Sequence, residues 1–261
     1  EKPRACPKCG SNYIGGFKAG TQMIECVVGK AFPQARMLRM DFDTTRSKDG
    51  YERILSAFAN HEADILIGTQ MIVKGHDFPN VTLVGILAAD LSMNVGDYRA
   101  AERTFQLLTQ AAGRAGRGRE FGEVVIQTYN PEHYSIEAAK EQDYGKFYRS
   151  EIAVRKLASY PPVSNMLLLL LTAEREEEAE YEAAYLAALV AKAKIEGLKI
   201  IGPASAAVGK VKDIYRKVIY FKHRDYAQLV ELKDRLELFF KKRTDRKQVN
   251  VSFDFNPLNG I

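Results

Sequence analysis

The amino-acid sequence predicts an α/β protein, in which a parallel sheet with helices on both faces is followed by a smaller α+β domain. Strand and helix patterns alternate from about residue 36 to residue 128, which is typical of a doubly wound sheet. After about residue 160 the pattern changes to strand, helix, two strands, helix and strand. A chain of 261 residues has room for two such domains.

The first domain contains four strand patterns and two clear helix patterns. The segment ARMLRMD predicts a strand, and the helix after it has apolar positions at Ile54, Leu55 and Phe58. Further strands are predicted for ADILIGTQ, VTLVGILAAD and GEVVIQTY, with a helix over AAERTFQLLTQAAGRAG before the last of them. The continuous Val, Leu and Ile content indicates parallel strands that are covered on both faces. Ligands of such sheets bind at the carboxyl ends of the strands.

The second domain follows the segment YPPV. Its strands are predicted for NMLLLLLTA, LKIIGPA, KVIYFKH and QVNVSFDFNP, and its two helices begin at Glu174 and Arg224. This order of elements is that of a ferredoxin-like split βαβ sandwich, with two helices on one face of an antiparallel sheet. Acidic residues at the first helix start and KKR at the second helix end suit the helix dipole.

Polar residues crowd into the loop TQMIVKGHDFPNV after the second strand. Gly75 would let the backbone approach a ligand, Asp77 could accept hydrogen bonds from ribose hydroxyls, and Thr69 could donate to a phosphate. Gln70 and Lys74 belong to the same loop. The alternative is a solvated loop in which the Asp77 side chain caps a nearby backbone group. Asp90, which ends the next strand, is expected to hold a nearby arginine or loop.

The segment QAAGRAGRG, residues 110–118, places two arginines in a frame of small residues. Gly113 and Gly116 remove side chains that would block a close approach, so Arg114 and Arg117 are free to reach outward. A guanidinium group is planar, permanently charged and bidentate toward phosphate, which suits the charge on a transferring γ-phosphoryl group. The alternative is a helix end with glycine caps and basic residues that interact favourably with the helix dipole.

Two of the three cysteines, Cys6 and Cys9, form the knuckle CPKCG. This spacing presents two thiolates to one Zn²⁺ ion, so the sequence predicts half of a zinc site whose other ligands lie upstream of residue 1. Two incidental thiols are the alternative. Cys26 lies in a predicted helix and is expected to be a core residue.

A net charge of +5 permits binding to nucleic acid without requiring it. The basic segment GKVKDIYRKVIYFKHR interleaves cations with aromatic residues, and Lys212, Arg216 and Lys217 are the candidate DNA contacts in it. A purely structural strand hairpin explains the same alternation. The longest apolar run, MLLLLL, is too short for a membrane helix, and we expect a cytoplasmic protein.

Two of these segments resemble a known family. GTQMIVKGHDFPNVTLV and RTFQLLTQAAGRAGRG resemble motifs V and VI of superfamily 2 helicases. Their sequences are most similar to those of the bacterial primosomal replication-restart DNA helicases. The CPKCG knuckle, LRMDFDTTR and GEVVIQTYNPEH also resemble segments of that family, so the resemblance covers the whole chain. It implies a zinc-region remnant at residues 1–20, a RecA-like second motor lobe at 21–158 and a DNA-associated domain at 159–261.

The resemblance also implies roles for single residues. Gln110, Arg114 and Arg117 would face ATP, with Arg117 as the arginine finger, and Gly113 belongs to the same segment. Gly75 and Asp77 would contact the nucleotide or couple it to DNA. Thr69 and Gln70 would touch the tracked strand, and Lys74 is a further candidate contact.

The chain contains neither a GxxxxGK[ST] loop nor a DExH-like acidic box. We therefore expect that ATP with Mg²⁺ needs another lobe upstream and that the 261 residues are inactive alone. The intact protein would be a monomeric 3′ to 5′ helicase that acts at stalled forks in the bacterial nucleoid, with single-strand DNA-binding protein and primosome proteins as partners. A branch-migrating translocase and a non-enzymatic nucleic-acid-binding module with a relic lobe are the alternatives.

Overall fold

The computed structural model describes residues 20–46, 49–73, 78, 80–93, 96–116, 121–242 and 249–258. The helices are α1 (Thr21–Ala31), α2 (Gly50–Ala59), α3 (Asp90–Met93), α4 (Ala100–Ala112), α5 (Tyr134–Glu141), α6 (Tyr144–Ala158), α7 (Glu176–Lys192) and α8 (Tyr226–Lys242). The strands are β1 (Met37–Met40), β2 (Ile65–Gly68), β3 (Leu83–Ile86), β4 (Glu123–Ile126), β5 (Asn165–Ala173), β6 (Lys199–Val211), β7 (Ile214–His223) and β8 (Asn250–Phe255). A 3₁₀ turn over Gln70–Val73 follows β2.

The chain divides into two compact units. One comprises Glu1–Ile86 and Thr109–Ile126, and the other comprises Leu87–Leu108 and Gln127–Ile261. The division differs from the predicted domains, because residues 127–158 fall in the same unit as the C-terminal strands. The domain bounds at residues 21 and 159 stay a prediction.

The first unit contains two parallel strand pairs. β1 pairs with β2, and β3 pairs with β4. The α/β class is confirmed, but the described residues form two separate two-stranded sheets and not the single sheet that was predicted. Met40, Ile54, Leu55 and Phe78 form a buried core between β1 and α2. The prediction that both faces of β3 are covered is wrong for Leu83, which is 60% exposed.

The C-terminal part of the second unit is built on a four-stranded antiparallel sheet with the order β6-β7-β5-β8. The elements follow one another as strand, helix, strand, strand, helix, strand, which agrees with the predicted order. Leu167, Leu169 and Leu171 point from β5 toward α7 and α8, where Leu186 and Leu229 are also fully buried. Successive residues on a strand face opposite sides, so both helices cover the same face of this sheet.

Helices α5 and α6 were not predicted from the sequence. Each begins at a residue whose side chain accepts a hydrogen bond from the helix backbone: His133 accepts from Ser135, and Asp143 accepts from Lys146. Each ends at a residue in the left-handed region, Gln142 and Ser159. These caps define two helices that are close together in the chain.

Among the described residues, none of the helices has both the length and the apolar character to cross a bilayer.

Candidate functional site

The carboxyl end of β2 brings Thr69 and Gln70 to the same sheet edge as the turn after β1. The two strands run in parallel register from Met37 opposite Ile65 to Met40 opposite Gly68. The Thr69 backbone N–H donates to the Met40 carbonyl over 3.4 Å, and both Thr69 and Gln70 are exposed. A Cβ at Gly68 would lie 2.3 Å from the Met40 carbonyl oxygen, so only glycine allows this close approach. The position of these two polar residues is therefore the one expected of a ligand-contacting edge.

Asp41 fixes the turn after β1, and the sequence analysis missed it. Its carboxylate accepts from the Thr21 hydroxyl at 2.5 Å and from the Thr44 backbone N–H at 3.0 Å, and it pairs with Arg39 at 2.9 Å. These hydrogen bonds, with the Thr21 hydroxyl first, lower the pKa of Asp41 to about 2. The signal in the sequence was an Asp followed by Thr three residues later, a pattern that favours a side-chain-closed turn.

The candidate contacts Lys74, Gly75 and Asp77 of the predicted loop lie outside the described residues. Phe78, which follows them, is buried and meets the Phe58 ring edge to face at 5.0 Å.

The end of α4 carries the second candidate segment. Gln110 is exposed in the last turn of the helix, and hydrogen-bonded turns continue through Gly113, Arg114 and Ala115. Arg114 is partly exposed, whereas Arg117 lies outside the described residues. The helix end and the small residues after it agree with the sequence, and the nucleotide roles stay a prediction.

Gly116 has a structural reason to be glycine. Its φ of +72° lies in the left-handed region, and its N–H donates to the Val81 carbonyl at 3.0 Å. A Cβ on Gly116 would lie 2.6 Å from the Gly122 nitrogen, and a Cβ on Gly122 would lie 2.2 Å from the Gly116 nitrogen. The backbones of Gly116 and Gly122, which flank Arg117 in the sequence, therefore touch.

Asp90 holds a loop, one of the two roles considered for it. Its carboxylate accepts from the Thr128 hydroxyl at 2.8 Å and from the Tyr129 backbone N–H at 2.9 Å. Burial raises the pKa of Asp90, but these hydrogen bonds outweigh it and the net pKa is lowered. Asp90 thus ties the start of α3 to the loop that follows β4.

The hairpin of β6 and β7 exposes only two of its three candidate DNA contacts. Lys212 and Asp213 form the two-residue turn between β6 and β7, and both have positive φ, as a type I′ turn requires. Lys212 is exposed and Arg216 is partly exposed. Neither has a carboxylate partner within the described ranges.

Lys217 differs from these two residues. It is only 8% exposed, and its ammonium group contacts Glu176 at 3.0 Å and Glu180 at 3.3 Å. Hydrogen bonding to Glu176 is the main reason why the pKa of Lys217 is raised. Its charge is therefore compensated inside the domain, which argues against the predicted DNA contact.

A buried charged network lies in the second unit around Arg155, which sequence reasoning did not single out. The Arg155 guanidinium donates to Glu151 and to Glu102, both at 2.6 Å, and to the Pro161 carbonyl at 2.9 Å. The Tyr134 hydroxyl donates to the second Glu151 oxygen at 2.6 Å. The network connects α4, α5 and α6 with the YPPV segment.

The cysteines give one correction. Cys6 and Cys9 lie outside the described residues. Cys26 was expected in the core, and this is wrong: it is exposed on α1, a helix without a single buried residue. Within the parts of the chain that the structure describes, no cluster of metal-ligating side chains is found.

Comparison with known proteins defines the class of the protein. The profile described as helicase conserved C-terminal domain matches residues 18–119. The profile described as primosomal protein N C-terminal domain matches residues 156–258. The first match covers β1 to β3, α4 and both candidate segments, and it implies a RecA-like lobe. The chain therefore carries a helicase-type C-terminal lobe followed by a primosomal C-terminal domain.

The relatives identify the particular family. The replication restart protein PriA of Bacillus subtilis (strain 168) is 44% identical over 255 residues, which are 98% of this chain and 32% of that protein. PriA of Synechocystis is 38% identical over 99% of the chain and 30% of that protein, and PriA of Chlamydia pneumoniae is 39% identical over 82% and 29%. The chain belongs to the PriA family and spans about a third of the length of these relatives.

Proposed function

We propose that this chain is the second motor lobe and the C-terminal domain of an ATP-dependent 3′ to 5′ DNA helicase that restarts replication at stalled or branched forks. The observation that carries the proposal is the order of two matches along one chain, a helicase C-terminal domain and then a primosomal C-terminal domain. The second match favours a restart helicase over a branch-migrating translocase. Single-strand DNA-binding protein and primosome proteins are the proposed partners at bacterial nucleoid DNA, where the protein would act as a monomer.

We assign the nucleotide to the segment that follows α4. Gln110 stands exposed in the last turn, and the contact of Gly116 with Gly122 supports a fixed base for the segment of Arg117. When bound with Mg²⁺, ATP would supply the γ-phosphoryl group, and the part of this chain is to place the charges of Arg114 and Arg117 near it. Gly113, Gly75 and Asp77 complete the proposed nucleotide contacts.

Two surfaces are assigned to DNA. Thr69 and Gln70, which are exposed at one sheet edge, and Lys74 after them would follow the tracked strand. Lys212 and Arg216 would contact phosphates from the hairpin of the C-terminal domain. We propose that this domain has the ferredoxin-like arrangement, which its strand order and helix placement support.

Zinc is a separate proposal that rests on Cys6 and Cys9 alone. Two thiolates at this spacing supply half of a tetrahedral site. Metal analysis of the protein at its natural length, with and without Cys9→Ser, tests it, and an unchanged zinc content would refute a ligand role for Cys9.

The function is tested by measuring ATP hydrolysis with and without forked DNA, for this chain and for the protein at its natural length. We expect hydrolysis stimulated by forked DNA in the longer protein only, together with unwinding from a 3′ tail. Binding to forks without hydrolysis in either form would instead support the non-enzymatic module. A preference for four-way junctions over forks would support the branch-migrating translocase.

The hairpin assignment predicts a change in salt dependence. Replacing Lys212 and Arg216 together with glutamine should lower fork affinity and reduce the slope of log K against log salt by about 1.4 to 1.8, because each lost phosphate contact removes about 0.7 to 0.9. Lys217→Gln is the matched control, since its charge is compensated by Glu176 and Glu180, and it should leave the slope unchanged. A slope that does not move in the double variant would leave the hairpin with a structural role only.

A further inference from the structure

An exposed aromatic side chain stands at the carboxyl end of β1. Phe42 is 71% exposed, although it directly follows the buried Asp41 and lies two residues beyond the fully buried Met40. Single exposed apolar side chains are common on protein surfaces, so exposure alone does not mark a ligand site; the hydrogen-bonded turn that carries Phe42 and the cation beside it do.

The turn that carries Phe42 is held firmly. The Thr44 backbone N–H and the Arg39 guanidinium both bind the Asp41 carboxylate, and the Thr45 hydroxyl donates to the Asp41 carbonyl at 2.7 Å. Phe42 is therefore presented by a closed turn whose conformation does not need a ligand to form.

A cation lies against the ring. The guanidinium carbon of Arg46 is 5.3 Å from the ring centroid of Phe42, which is within cation–π range. Arg46 is itself exposed, and the ring keeps most of its surface in solvent. A planar group can stack on this ring and contact the guanidinium at the same time.

The charges of the turn decide which part of a nucleic acid fits there. Among the described residues of this turn, the exposed charged side chains are Asp43, next to Phe42, and Arg46, whereas the Asp41 carboxylate is already paired with Arg39. The Asp43 carboxylate offsets the attraction of Arg46 for a phosphate, whereas a nucleobase is uncharged and has a π-face. The turn therefore suits a base better than a backbone phosphate.

The location agrees with a strand-binding role. Asp41 follows Met40 in β1, and Thr69 follows Gly68 in β2, and Met40 and Gly68 are opposite each other in parallel register. Phe42 consequently lies at the same sheet edge as Thr69 and Gln70, the polar residues assigned to the tracked strand.

We propose that Phe42, flanked by Arg46, is a base-stacking residue for the single strand that this lobe contacts. The proposal rests on the proposed helicase function and adds to it a contact that depends on bases and not on phosphates.

The experiment uses the protein at its natural length and compares binding of an oligothymidylate with binding of an abasic strand of the same length. Stacking on an aromatic side chain accounts for roughly 5- to 160-fold in affinity per base. We expect Phe42→Ala to lose affinity for the oligothymidylate by roughly that factor, while affinity for the abasic strand and the salt slope stay unchanged. Phe42→Trp should retain the preference for bases, because the indole also stacks.

Phe32→Ala is the matched control, since Phe32 is a 58% exposed phenylalanine in the same unit, at the end of α1. It should leave both affinities unchanged. Equal losses on both strands in Phe42→Ala, or none, would overturn the proposal. A raised KM for ATP with unchanged strand binding would also overturn it and would assign the ring to the adenine of the nucleotide. If the unaltered protein binds neither strand, the proposed function itself fails, which is a different result.

Discussion

Replacing Arg117 with alanine in the protein at its natural length is expected to reduce DNA-stimulated ATP hydrolysis about 10³-fold or more, which is the effect of arginine fingers in phosphoryl transfer. The guanidinium would stabilise charge that develops on the transferring group, so the loss should appear mainly in kcat. Fork affinity should be unaffected, because the arginine is assigned to the nucleotide. Steady-state hydrolysis and fork binding, measured on the same preparation, check both statements.

Arg119→Ala is the control for this variant, because it removes an equal charge two residues further along the chain. We expect it to keep most of the hydrolysis rate. Equal losses in both variants would show that net positive charge matters and not one positioned guanidinium. Full turnover in Arg117→Ala would refute its assignment as the arginine finger and would leave Arg114 as the candidate for that role.

The second large effect is expected for stability. Arg155→Ala should lower the free energy of unfolding by about 3 to 5 kcal/mol, because it leaves the carboxylate of Glu151, a residue only 6% exposed, without its cation. Tyr134 would remain the partner of Glu151, but a hydroxyl donates one hydrogen bond and no charge. Urea unfolding followed by linear extrapolation measures the change.

Two further variants separate charge from packing. Arg149→Ala removes an exposed arginine from the same helix and should cost less than about 0.5 kcal/mol. Replacing Glu151 and Arg155 together with methionine should recover much of the lost stability, because the buried carboxylate of Glu151 is removed with its cation and Glu102, which also loses a partner, is partly exposed. If the double variant is as unstable as Arg155→Ala, lost packing and not the orphaned carboxylate explains the cost.

The elements that could be predicted from the sequence are those with a regular pattern of apolar residues. The run NMLLLLLTA became the central strand β5, with Leu167, Leu168 and Leu169 fully buried, and the long helices of the C-terminal domain also follow from their patterns. α5 and α6 escaped notice because each is defined mainly by its caps. The pairing of the strands in the first unit could not be predicted either, because continuous apolar content does not determine which strands are neighbours.

The residue types of the candidate site could be predicted from the sequence, but the side chains that hold or pair with them could not. Thr69 and Gln70 follow directly from the end of an apolar strand, and they occupy that place in the structure. The burial of Lys217 did not follow, because its partners Glu176 and Glu180 come from a helix about 40 residues away in sequence. Asp41 was missed for a related reason: its shortest hydrogen bond comes from Thr21, a residue 20 positions away in sequence that only the fold brings to it.

The touching backbones of Gly116 and Gly122 have a consequence for genetics. Any side chain at Gly122 would meet the backbone nitrogen and carbonyl carbon of the opposite segment, atoms that cannot move aside as a flexible side chain can. Under the proposed function, a random-mutation screen for cells that fail to restart replication should recover substitutions of Gly122 along with those of the arginines, although Gly122 lies outside the GRAGRG segment. Its alleles would resemble catalytic ones in phenotype while having a steric origin.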